Sequence, residues 1–174
     1  MTESGTIRFN QFATYLLTTS SGAGAPVLAV GDEYIGGLKY TTRGLLTFSL
    51  QSVPQMETLI SAELTLPPAQ ILGDPFASLG NLVVEQVELD DTLMAEEAYL
   101  SPGTTIVPDF LLDEGEINIT SEIRTAVGAG DRRIRFRFRF DQETMDGDAF
   151  ADQYVLPTGS TPTIIIRYYP AAGN

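Results

Sequence analysis

The chain of 174 residues carries 23 acidic against 10 basic side chains, a formal net charge of −13, and neither histidine nor cysteine. Missing imidazole and thiol groups exclude Ser-His-Asp and Cys-His catalysis, histidine-bound zinc, thiolate metal sites and disulfides. The negative field repels nucleic-acid phosphates and anionic membrane surfaces, and no apolar run approaches the roughly 20 residues that span a bilayer, so neither nucleic acid nor membrane insertion is expected.

A chain of this size can bury a continuous core without staples, and residues 1–174 read as a single domain. The opening Met1-Thr-Glu-Ser-Gly lacks the basic-then-apolar pattern of a secretory leader, which leaves a cytoplasmic chain and a mature secreted domain both open. Arg8 to Leu17 is expected as a first strand, followed by a loop over Thr18 to Pro26 and a short apolar run, Pro26 to Val30. Asp32 to Gly37 carries turn chemistry. Arg43 to Gln51 then places Leu46, Phe48 and Leu50 on one face, and Leu59 to Leu66 groups Ile60, Ala62, Leu64 and Leu66 before Pro67-Pro68 ends the ladder.

Gly73-Asp74-Pro75 reads as a turn and Asn81 to Leu89 as an apolar strand with room for a bulge. Thr92 to Leu100 contains good helix formers and allows a turn or two of helix. Ser101-Pro-Gly is a loop, Thr105 to Leu112 and Gly115 to Ile119 are strands, and Thr120 is placed to cap a short helix over Ser121 to Val127, with Gly128 near its stop. From Arg132 to Asp141 strict alternation puts Ile134, Phe136, Phe138 and Phe140 on one face and Arg133, Arg135, Arg137 and Arg139 on the other. Only a period of two sorts these residues so cleanly, so this segment is a strand with an aromatic face that must be buried. A polar acidic loop follows, and Thr163 to Tyr169 closes the chain as a last strand. Short strands joined by Gly/Pro-rich turns indicate an all-β fold, a two-sheet antiparallel β-sandwich of jelly-roll-like kind with one short helix near 121–128.

The succession Arg43-Gly-Leu-Leu-Thr-Phe-Ser-Leu, Leu59-Ile-Ser-Ala-Glu-Leu-Thr-Leu, Ile117-Asn-Ile-Thr with a short helix, Arg135-Phe-Arg-Phe-Arg-Phe and Thr163-Ile-Ile-Ile-Arg-Tyr-Tyr resembles the DNRLRE-type β-sandwich modules and their carbohydrate-binding relatives, over most of the chain. The resemblance implies a non-catalytic recognition or adhesion module of a secreted or cell-surface bacterial or archaeal protein, with polysaccharide or extracellular matrix as partner. It transfers no binding residues, because the matching positions are core positions.

Three groups of side chains are candidates for a site. Asp141, Glu143, Asp146, Asp148 and Asp152 concentrate hard oxygen ligands in one glycine-containing connection, suited to calcium, although their spacing is not that of an EF-hand; the plainer reading is a solvated acidic hairpin. Arg133, Arg135, Arg137 and Arg139 suit planar carboxylates, such as those of a uronic-acid glycan, or sulfates. The plainer alternative is that Glu63, Glu85, Glu88, Glu116 or Glu122 neutralises the row from within. Exposed tyrosines, Tyr169 among them, offer stacking platforms for sugars; one of Tyr168 and Tyr169 is expected to face inward and the other outward. An enzyme would have to use paired carboxylates in the manner of a glycoside hydrolase, and Asp32-Glu33, Glu96-Glu97 and Asp113-Glu114 occur in contexts where acids are ordinarily solvated, so no catalytic residue is assigned. The remaining alternative is a structural subunit of an extracellular fibre or surface layer that self-associates through sheet edges, with Met1 to Asn10 as a strand available for donation.

Overall fold

A computed structural model describes residues 3–10, 15–19, 27–53, 59–89, 95–110, 115–143 and 150–169. The strands are β1 (Glu3–Asn10), β2 (Tyr15–Thr19), β3 (Leu28–Ile35), β4 (Leu38–Ser49), β5 (Leu59–Thr65), β6 (Gln70–Leu72), β7 (Leu82–Val87), β8 (Gly103–Val107), β9 (Glu116–Asn118), β10 (Arg133–Phe140), β11 (Gln153–Leu156) and β12 (Thr163–Tyr168). Among the described residues three helices, α1 (Pro75–Ser78), α2 (Ala95–Leu100) and α3 (Thr120–Ala129), lie between them; α3 is the expected one, α2 falls where a turn or two was allowed, and α1 was not foreseen. All pairings are antiparallel and form two sheets, a large one with the path β6-β11-β3-β4-β10-β7-β8 joined by β1 and β2, and a small one ordered β12-β5-β9. The chain is thus an all-β, two-sheet sandwich.

Strand β4 organises the large sheet. Its residues 40–47 pair with β1, while 38–42 pair with β3 and 44–49 with β10. A strand has two edges, so β3 and β10 share one of them end to end. Residues 28–31 of β3 pair with β11 and residues 31–35 with β4, so the strand changes neighbour at Gly31, which curls the sheet. Gly44 sits where the curl folds back: a Cβ there would lie 3.0 Å from Leu28 Cδ1 and Val30 Cγ2.

The aromatic face of β10 is buried as its alternation requires, with Phe136 and Phe138 wholly inaccessible and Ile134 and Phe140 nearly so. Leu46, Phe48 and Leu50 of the β4 segment meet them from the same sheet, and Ala62, Leu64 and Leu66 of the β5 segment close the core from the small sheet. Phe48 and Phe136 stack edge to face at 6.2 Å. Ile60, grouped with these core residues by alternation, is exposed instead. The register between β5 and β12 jumps from Arg167↔Ser61 to Tyr168↔Leu59, so Ile60 is the extra residue of a bulge, and half-buried Leu59 packs on the core.

Several other boundaries move. The single strand expected over Arg8 to Leu17 is two, β1 and β2, paired with each other with Ile7 opposite Leu17; residues 11–14 lie outside the described set, as do 20–26 of the expected loop. The opening segment therefore pairs within its own chain. Asp32 to Ile35 is strand and only Gly36-Gly37 turns, both at positive φ as a two-residue hairpin demands. The strands β6 and β11 were not foreseen, being three and four residues long and too short to display a period. Thr120 does not cap α3: its hydroxyl accepts from the Ala62 N–H at 2.9 Å and tethers the helix to β5, while Asn118 Oδ1 accepts from the Thr120 N–H at 3.0 Å. The helix includes Gly128 and ends one residue later at Ala129, where the left-handed φ of 83° at the capping Gly130 stops it. Helix α3 packs on β5 and β10 and buries Ile123 and Ala126.

Candidate functional site

The arginine face of β10 divides into two environments. On its C-terminal half, Arg137 lies under α2 and is 3% exposed. Its Nε and Nη2 donate to Glu85 Oε2 at 2.9 and 2.6 Å, and Arg139 Nε donates to Glu85 Oε1 at 2.9 Å. Glu85 stands directly opposite Arg137 on β7, so the pair follows from register. Arg137 Nη1 donates to the carbonyls of Ala98, Tyr99 and Ser101 at 3.2, 3.0 and 2.8 Å. These oxygens belong to the C-terminal end of α2, where carbonyls lack intrahelical partners and the dipole is negative. The last turn of α2 contains no basic residue of its own, so the sheet supplies the cation.

Arg43 of β4 extends this network. Its Nε and Nη2 grip Glu143 Oε1 and Oε2 at 2.6 Å each, its Nη1 also donates to the Tyr99 carbonyl, and its guanidinium lies 3.9 Å over the Tyr99 ring. Burial opposes the charge on Glu85, but hydrogen bonds and attraction from Arg137 and Arg139 win and hold its carboxyl below the usual range. Burial also pulls the Arg137 guanidinium down against the attraction of Glu85; guanidinium titrates so far above neutrality that the pair stays ionised. For Arg43 burial is likewise the largest influence, and the Glu143 contacts outweigh it, so its pKa is raised. This half is a bolt fastening α2 and the segment after β10 to the sheet.

The N-terminal half of β10 borders a surface cleft. Arg133 is exposed, and Arg135, 8% exposed, donates from Nη1 to the Leu89 carbonyl at 2.6 Å. Both line a cleft of about 640 Å³ whose other walls include Gln86, Glu88, Glu97 and Asp131. A second cleft, of about 340 Å³, shares Leu89, Asp131, Arg133 and Arg135 with the first and adds Arg132. A third, of about 630 Å³, shares Gln86 and Glu88 and continues past Thr104, Ser121, Glu122 and Thr125. The three adjoin and form a polar groove along the end of β7, bounded by α3 and the start of β8.

The acids read as a calcium set are dispersed where described. Asp141 Oδ1 accepts from the Asn81 N–H at 3.1 Å, Glu143 holds Arg43, and Asp152 accepts from the Asp74 N–H and Ser78 hydroxyl, both at 2.7 Å. Asp146 and Asp148 lie outside the described residues, and among the described residues no group of three or more acids is arranged to hold a metal. Tyr168 and Tyr169 are both exposed, at 48% and 69%, rather than divided between the two faces, because the pairing with β5 shifts between Arg167 and Tyr168 and breaks the alternation, and β12 ends at Tyr168. Tyr169 directly follows β12 of the small sheet, whereas the arginine row lies on β10 of the large one. Arg43, Tyr99, Gln86 and Arg132 were not singled out together from the sequence; Glu85 was one of five acids open as internal partners of the row, and nothing local links residues 86, 97 and 122 across three elements.

No protein-family model matches the chain, and no curated protein matches it in sequence.

Proposed function

We propose that the chain is a non-catalytic recognition or adhesion module of a secreted or cell-surface protein, holding a carbohydrate chain in the polar groove. The observation that carries this reading is the continuity of three clefts lined by Gln86, Glu88, Thr104, Ser121, Glu122 and Thr125. Amide, carboxylate and hydroxyl groups of this kind hydrogen-bond the paired hydroxyls of sugars, and an elongated groove suits an elongated ligand. The order of motifs shared with the DNRLRE-type modules supports the same conclusion, and a chain with neither imidazole nor thiol lacks the commonest proton-transfer and nucleophilic groups. Calorimetric titration with neutral oligosaccharides tests it. Binding abolished by Gln86→Ala with Thr125→Ala, at unchanged melting temperature, is the expected result, and a groove that takes no oligosaccharide refutes it.

A second reading, assembly through sheet edges, draws on β12. Among the described strands it pairs only with β5, and Ile165 and Tyr168 are exposed on it. Light scattering over a range of concentrations separates the two: growth of polymers, stopped by Ile165→Lys, supports assembly.

A further inference from the structure

The small sheet ends at β12, and we propose that this edge pairs with β12 of a second copy about a two-fold axis through Ile165, joining two chains into a closed, reversible dimer. The inference rests on the edge-assembly reading and gives the edge a single occupant. Main-chain direction follows from β5. The Ile119 N–H donates to the Ala62 carbonyl at 2.9 Å and the Leu66 N–H to the Gly115 carbonyl at 2.8 Å, so these residues of the β5 segment turn their backbone groups towards β9. Backbone direction alternates along a strand, so Ser61, Glu63 and Thr65 turn theirs towards β12. Their partners there are Arg167, Ile165 and Thr163. Ile164 and Ile166 therefore direct their N–H and C=O groups away from β5, at an edge that no other strand covers among the described residues. Both also pack against the core, while Ile165, on the opposite face, is 42% exposed.

Self-pairing of this edge selects its own register. An axis through Ile165 sets Ile164 opposite Ile166 of the second copy, and the reverse, giving about four main-chain hydrogen bonds with the two Ile165 side chains in contact across the axis. An axis through Ile164 would set Ile166 against Pro162, which has no N–H, and one through Ile166 would set the apolar Ile165 against Arg167. Charge agrees with the first register. Arg167 Nη1 holds Glu63 of its own chain at 2.7 Å, and the guanidinium would stand opposite Thr163 of the second copy. The two Arg167 residues would lie about 14 Å apart along the strands, four residues' rise, beyond the screening length of about 8 Å. The edge carries neither lysine nor proline to blunt it, and its one irregularity, between Arg167 and Tyr168, falls past the paired residues. Because the contact joins like edges, it closes at two chains. Six residues a side is well short of the roughly 20–30 of a standard interface, so the dimer should form only at micromolar concentrations and above.

The test is sedimentation of the whole chain from roughly 5 to 500 µM, where a monomer–dimer equilibrium without larger species is expected. Ile165→Lys and Ile165→Glu should each stay monomeric over that range at unchanged melting temperature. An equal mixture of the two should dimerise again, because the axis sets residue 165 against itself. The chain has no cysteine, so Ile165→Cys introduces a single thiol. Facing Cα atoms about 4.5–5.5 Å apart are within disulfide reach, so mild oxidation should link Ile165→Cys into dimers at least tenfold faster than Thr163→Cys, whose thiols would lie about 14 Å apart. Equal linking of the two cysteine variants, or a charged mixture that stays monomeric, overturns the two-fold register. Growth into polymers that Ile165→Lys stops overturns the closed dimer and leaves edge assembly standing. A wild-type chain that is monomeric throughout, or association untouched by Ile165→Lys, removes the edge-assembly reading and this inference with it.

Discussion

Replacing Glu85 by glutamine tests whether the covered half of the arginine face is a structural bolt. The carboxylate accepts three hydrogen bonds from two guanidiniums, and both it and Arg137 are almost fully buried, at 5% and 3% exposure. Removing one partner of a buried pair costs about 3–5 kcal/mol, because the other charge is left without a counterion. Here Arg137 retains three carbonyl acceptors at the negative end of α2, which places the expected loss near the lower limit, about 3 kcal/mol. In a chain of this length that corresponds to a drop in melting temperature of about 6–12 °C. Calorimetry at pH 7 measures it. The pH dependence supplies an independent check: the folded pKa of Glu85 is lowered, so its contribution is present above the unfolded value and lost as pH falls through the folded one. The wild-type chain should therefore lose stability below about pH 4.5 more steeply than Glu85→Gln. Replacing Glu85 and Arg137 together by methionine should restore part of the loss, with a remainder from the α2 carbonyls left unpaired. A single Glu85→Gln variant within about 1 kcal/mol of wild type at neutral pH would refute the bolt and return all four β10 arginines to the ligand question.

Gly103→Ala should be destabilising by about 1–3 kcal/mol in urea unfolding, because an added Cβ would meet Glu85 Cβ and Oε2 at 2.9 Å where β8 passes the ion pair. Phe138→Ala, wholly buried between the sheets, should cost about 3–5 kcal/mol in the same assay, whereas Phe150→Ala, 75% exposed, should be nearly silent. Burial pushes the Tyr154 phenol up to about 12, so the unfolded chain loses that proton first and stability should decline from about pH 10 towards 12; Tyr154→Phe should blunt the decline seen by circular dichroism. Arg43→Lys should weaken attachment of α2, since ammonium cannot hold Glu143 with two parallel hydrogen bonds, and faster amide exchange at residues 99–101 would report it.

The aromatic row of β10 was readable because one strand face needs only a period of two, and the large buried rings leave no choice of side. The same alternation could not say that the opposite face is also covered. That follows from Glu85 standing at Arg137 in the β7 register and from α2 ending without a cation of its own, two facts that depend on elements about 50 and 40 residues away. Thr120 failed as a cap for a related reason: its hydroxyl found the Ala62 backbone of another strand, and a local rule cannot register that competitor. The groove lies at the limit of this blindness, since Arg133, Glu88, Glu97 and Glu122 carry ordinary surface residue types and become one lining only where β7, α2, α3 and β10 converge. What alternation did reveal was the arginine row itself, and the fold assigns its members different work according to what covers them. Where the end of α2 lies on the sheet the charge of Arg137 is matched by Glu85 and three carbonyls and stabilises the packing; towards the start of β10 the exposed Arg133 lines the groove instead. The position of that short helix thus decides which arginine of the row the fold uses to fasten itself, because the carbonyls at its end supply all three acceptors of Arg137 Nη1.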